Sequence, residues 1–89
     1  MELDKYLENF REQIDTLDYE IIYLLSRRFA LVEQIWIIKK DLWESALQPK
    51  RWEELERKIL IEAKERNVNP ELIKKIWNEI HSESLRIEI

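Results

Sequence analysis

Residues 3–42 read LDKYLENFREQIDTLDYEIIYLLSRRFALVEQIWIIKKDL. Leu3, Leu7, Phe10, Ile14, Leu17, Ile21, Leu24, Leu31, Ile35, Ile38 and Leu42 follow alternating steps of four and three wherever the series is unbroken, the spacing of a coiled-coil seam. A helix of this length extends about 60 Å, whereas a compact domain of this size has a radius of gyration of about 12 Å. The rest of the chain supplies two short helices, too little to cover such a stripe. A second copy of the chain is the simplest source of the missing apolar surface. The spacing therefore predicts an all-α fold with three helices per chain, one of them very long, intertwined as a helical homodimer.

The two prolines set the other boundaries, because proline suits the first helical turn and disfavours helical geometry in the residue before it. The segments expected are 4–43, 49–67 and 70–88. The last opens with Asn69 as N-cap, Pro70 at the first helical position and Glu71 near the positive end of the helix dipole. The middle one opens at Pro49 after Ser45-Ala46-Leu47-Gln48, a connection of ordinary length. Residues 1–89 are expected to form a single domain.

Composition agrees with helices. The 89 residues are 45% hydrophobic and 38% charged, with no glycine and two prolines, whereas sheet proteins need turn residues with positive φ. A lone chain of this size buries only about 60–65% of the surface its unfolded form exposes, so its own core is marginal. Without cysteine and with one histidine, disulfides, a thiolate nucleophile and a cysteine- or histidine-rich metal site are excluded, and no cofactor is expected. The start, Met1-Glu2-Leu3-Asp4-Lys5, lacks the pattern of a signal peptide, and no apolar run approaches the roughly 18 residues of a membrane span. A cytoplasmic protein without a membrane partner is the expectation. The net charge of −4 argues against nucleic acid, whose binding rests on a basic face. An anionic ligand must be met by local positive charge.

One seam position carries such charge. Between Leu24 and Leu31 the heptad requires an apolar residue and has Arg28. A buried guanidinium costs several kcal/mol unless paired. Its partner is either a carboxylate from another helix or a ligand anion, which arginine's planar fork suits. Lys39, three helical turns on, projects from nearly the same face about 16 Å along the axis, so the two basic side chains can converge on a small anion; a solvated lysine is the plainer alternative. Arg11 is about 25 Å from Arg28 along the helix and rotated by roughly 100°. It cannot reach the same pocket, but an antiparallel dimer brings it to the other subunit's. In the second segment Trp52, Leu55 and Ile59 form a short apolar stripe with Arg51 beside it, and Trp52 reads first as packing. In the third, Ile73, Ile76, Trp77, Ile80 and Leu85 form the apolar side, with Ser84 and Glu88 one turn apart and His81 a turn before.

The run Arg11-Glu12-Gln13-Ile14-Asp15-Thr16-Leu17-Asp18, then Leu24-Leu25-Ser26-Arg27-Arg28 and Lys39, resembles the first helix of the all-helical chorismate mutases. The match continues through Arg51 and Ile80-His81-Ser82-Glu83-Ser84-Leu85 and covers nearly the whole chain. Any one element is weak, whereas the series Arg11, Arg28, Lys39, Arg51, Ser84 at family spacing is specific. The resemblance implies an enzyme that rearranges chorismate to prephenate in phenylalanine and tyrosine biosynthesis. It also implies a dimer whose sites each take an arginine from the other chain. Arg28 and the other chain's Arg11 would clamp the two substrate carboxylates, Lys39 would contact a carboxylate and the ether oxygen, and Arg51 and Ser84 would line the opposite side.

Three positions depart from the commonest family pattern. Gln48 stands where aspartate is frequent, Trp52 where glutamate often meets the substrate hydroxyl, and Glu88 where glutamine donates to the ether oxygen. These three belong with the substrate-binding set. Lys39, Glu88 and Arg28 are the candidate catalytic residues. Since a carboxylate only accepts, Glu88 must be protonated to donate, unless, next to the C-terminus, it simply frays into solvent. Two alternatives stand beside the mutase: an isochorismate-pyruvate lyase on the same scaffold, and a non-catalytic helical dimerisation module in which Arg28 is paired internally.

Overall fold

A computed structural model of the chain describes residues 2–41 and 48–88. All the secondary structure among them is helical, as the periodicity predicts: α1 (Glu2–Asp41), α2 (Pro49–Glu65) and α3 (Pro70–Ile87). Leu42 of the seam and the connection at Ser45-Ala46-Leu47 lie outside the described residues. The chain divides into two compact units, Met1–Leu31 and Val32–Ile89.

The 40 residues of α1 run without a break, with Glu2 and Asp4 in the first turn and Lys39 and Lys40 in the last, charges that suit the two poles of the helix dipole. In the first unit the seam residues Leu3, Leu7, Phe10, Ile14, Leu17, Ile21, Leu24 and Leu31 are all exposed, while Leu25, Arg28 and Phe29 are half-buried. The Arg27 guanidinium carbon sits 5.8 Å from the Tyr23 ring centroid, within cation–π range.

The second unit joins the last turns of α1 to an antiparallel hairpin of α2 and α3. Here α1 buries part of Val32, Trp36 and Lys39, again at steps of four and three, and leaves the seam residues Ile35 and Ile38 exposed. The long helix thus carries a second inward-facing stripe that the seam does not contain. From α2 come the half-buried Trp52, Leu55, Ile59 and Leu60 and the buried Ala63; from α3, Ile73, Trp77 and Leu85 are half-buried and Ile80 and Ser84 buried. Ile76, expected inside, is 40% exposed. The buried series on α3 is Ile73, Trp77, Ile80, Ser84, and Ile76 falls at its edge, next to the exposed Leu72.

The α2–α3 connection explains why α2 stops two residues before the expected Asn67. Asn67 takes a left-handed conformation at φ 58°, Val68 N–H donates to Ala63 O at 2.8 Å and Asn67 N–H to Lys64 O at 3.2 Å. This is the Schellman arrangement, which satisfies the last carbonyls of the helix. Asn69 then caps α3 as expected, its Oδ1 accepting from Glu71 N–H at 3.0 Å, with Pro70 following. At the rim of the hairpin Lys74 Nζ lies 4.0 Å from Glu56 Oε1.

Candidate active site

The second unit places polar side chains where its own packing does not ask for them. On α3, Ser84 interrupts the inward apolar series and is 9% exposed. Its hydroxyl donates to Ile80 O at 2.9 Å, the bond by which a serine satisfies itself inside a helix. One turn on, Glu88 is 7% exposed and ends α3, its N–H donating to Ser84 O at 3.1 Å. Glu88 is therefore held in place and does not fray into solvent.

From the end of α1, Lys39 Nζ meets Glu88 Oε2 at 3.6 Å, with 15% and 9% of the two side chains exposed. The cation offsets the negative charge that Glu88 adds at the carbonyl end of α3, where the helix dipole disfavours it. Withdrawing two charges from water is expensive unless both are well paired. The solvated-lysine alternative for Lys39 does not hold. By contrast, the neighbouring Glu83–Arg86 pair lies on the outside of α3. The Arg86 guanidinium, which donates from Nε to Glu83 Oε2 at 2.9 Å, holds the Glu83 carboxyl below the usual carboxylate range. That pair is exposed, and exposed pairs contribute little to stability.

On the first turn of α2, Trp52 stacks on His81 of α3, with ring centroids 4.0 Å apart and planes inclined by 15°. The packing expectation for Trp52 holds, and its partner is a residue the sequence pattern left without a role. The signal for His81 was its spacing, three residues before Ser84 and seven before Glu88, which puts all three on one face of α3. Gln48 precedes α2 as its N-cap, half-buried and without a side-chain capping bond; its carbonyl accepts from Trp52 N–H at 3.2 Å. Arg51 is exposed and borders an open surface cleft with Lys50, Glu53, Glu54 and Arg57. In the first unit, Arg28 is half-buried and Arg11 exposed on α1.

The structure thus joins Lys39 to Glu88, sets Ser84 one turn before Glu88, and fixes Trp52 against His81. What such a group can do is hold a small anion at Lys39 with a hydrogen-bonding carboxyl and hydroxyl beside it. Among the described residues no group of three or more His, Cys, Asp or Glu side chains is arranged to hold a metal ion. None of the helices there is long and apolar enough to cross a membrane.

Comparison with known proteins gives no match among curated proteins or solved structures. The family model for chorismate mutase type II, however, matches residues 10–89. That span contains all eight of the polar and aromatic positions singled out from the sequence, Arg11, Arg28, Lys39, Gln48, Arg51, Trp52, Ser84 and Glu88. On a match that takes in nearly the whole of an all-helical chain, this protein belongs to the chorismate mutase type II family, an isomerase family of intramolecular transferases.

Proposed function

We propose that the chain converts chorismate to prephenate, in the route to phenylalanine and tyrosine, as a cytoplasmic homodimer whose two sites each use Arg11 of the other subunit. The observation that carries this reading is the nearly buried Lys39 paired with Glu88, which lies one turn after the buried Ser84, in a chain of this family. The rearrangement is pericyclic and needs no nucleophile, metal or proton abstraction. Catalysis then consists of folding an extended enolpyruvyl ether so that the bond-forming carbons meet, and of stabilising the charge that grows on the ether oxygen as the C–O bond breaks.

Arg28 and the other subunit's Arg11 clamp the two carboxylates. Lys39 is the charged donor to the ether oxygen and one carboxylate, with Glu88 beside it; Glu88 can donate to that oxygen only as a carboxylic acid. Ser84, Arg51, Gln48 and Trp52 complete the walls. Since Glu88 pairs with Lys39, a substrate dianion competes with the Glu88 carboxylate for the same cation. A millionfold acceleration requires about 8 kcal/mol from these terms together.

Exposure supports the dimer. From Leu3 to Ile38 the described seam residues are 47–71% exposed, and a contiguous apolar stripe of that extent marks an interface. A second copy of the same seam is the occupant that its heptad spacing fits.

The test is a direct assay of chorismate loss with wild type and Arg28→Ala, with the product identified as prephenate. Turnover by wild type and loss of at least about a hundredfold in the variant are expected. No chorismate loss with wild type overturns the proposal, as does conversion of isochorismate to salicylate and pyruvate in preference to chorismate. A transition-state analogue that fails to raise the melting temperature of wild type leaves the non-catalytic dimerisation module as the reading.

A further inference from the structure

The Trp52–His81 stack has a geometry that packing alone does not require. The rings are nearly parallel and 4.0 Å apart, joining the first turn of α2 to the face of α3 that also carries Ser84 and Glu88. An indole this close to a helix start has several open rotamers unless a neighbour selects one. A stacked aromatic partner favours one arrangement by about 0.5–1.5 kcal/mol beyond the area it buries, a several-fold preference. Both rings are half-buried, and His81 stands on the α3 face that carries Ser84 and Glu88. Tryptophan has an N–H donor and no acceptor, so Trp52 contributes shape, and at most a donated hydrogen bond, where a carboxylate would accept from a hydroxyl.

We infer that His81 is a positioning residue for the mutase reaction: by stacking on Trp52 it fixes the indole as a flat wall that restricts the bound ether to its folded, reactive conformer. The inference rests on the function proposed above. A wall of this kind acts on the reacting geometry, so its loss lowers kcat more than it raises KM.

The experiment compares wild type with His81→Leu and His81→Gln, which remove the ring while keeping much of the side-chain volume, and with His81→Phe, which keeps a stacking ring. Each is assayed for chorismate turnover on the dimer. Near-ultraviolet circular dichroism reports the tryptophan environment, and melting temperature reports folding. Expected are a fall in kcat of about fivefold for the ringless variants with KM changed by less than about twofold, and recovery by His81→Phe to within about twofold of wild type. The tryptophan dichroism should change in the ringless variants and return in His81→Phe. Unchanged kcat in the folded ringless variants, or a His81→Phe enzyme as slow as they are, overturns the inference. If neither ringless variant folds, the phenylalanine variant decides alone: wild-type kcat supports the stack and a fivefold loss overturns it. A wild type that does not consume chorismate overturns the functional proposal itself, an outcome distinct from active enzyme with indifferent His81 variants.

Discussion

Lys39 Nζ stands 3.6 Å from Glu88 Oε2, each side chain nearly withdrawn from water, so the candidate donor and its candidate companion face each other. An ionised Glu88 does two things against catalysis: it occupies the cation and it presents an acceptor where the ether oxygen needs a donor. An amide at this position reverses both. Glu88→Gln, whose side chain carries no charge and has a donor, should consume chorismate at least as fast as wild type. A folded but inactive Glu88→Gln enzyme sinks this account.

The same pair makes a prediction that separates stability from catalysis. Lys39→Met leaves the Glu88 carboxyl nearly buried without its cation, and breaking a buried pair from one side costs about 3 kcal/mol or more. Replacing both partners by apolar residues removes the desolvation penalty with the attraction. Lys39→Met combined with Glu88→Leu should return unfolding free energy to within about 1 kcal/mol of wild type. Its kcat should nevertheless remain down by about a hundredfold or more, since the donor to the ether oxygen is gone. Urea unfolding at fixed protein concentration, which the proposed dimer requires, measures the first quantity and chorismate turnover the second.

Local chemistry was well written in the sequence. Asn69 and Pro70 mark the start of α3 because capping and proline φ act within a few residues, and the structure shows the Asn69 cap. Arg28 and Lys39 stood out because charge at helical spacing is visible without knowing any contact. The second stripe of α1, Val32, Trp36 and Lys39, was hidden by the stronger heptad: one long helix with two apolar faces yields one dominant period. The Trp52–His81 stack joins residues far apart in the chain, on different helices, and no local pattern encodes such a meeting. The early end of α2 is hard to read from the sequence for a different reason. Asparagine at a left-handed C′ position competes with glycine there, and the absence of glycine from the chain removed the usual marker.

That turn is itself a test. Asn67 holds φ at 58°, a region open to asparagine but easier for glycine, which has no Cβ to crowd the backbone. Asn67→Gly should keep both Schellman hydrogen bonds and raise stability by up to about 1 kcal/mol. Asn67→Val should lower it, since a β-branched residue is a poor occupant of that region. Thermal unfolding of the two variants checks the sign; a glycine variant less stable than the valine variant contradicts the assigned role of the turn.

Because the proposed site draws Arg28 from one chain and Arg11 from the other, two inactive variants should repair each other. In a heterodimer of Arg11→Ala and Arg28→Ala chains, one site combines both defects and the other has neither. Random exchange of equal amounts makes half the dimers mixed, each with one intact site, so activity should recover to about a quarter of wild type. Each variant alone should stay near zero at any concentration. Placing glutamate at Leu17 and Ile21, exposed seam residues, should abolish the recovery by preventing association, with sedimentation reporting monomers. Full activity of either single variant, or no recovery in mixtures shown to exchange subunits, would mean that the two arginines do not share a site across the interface.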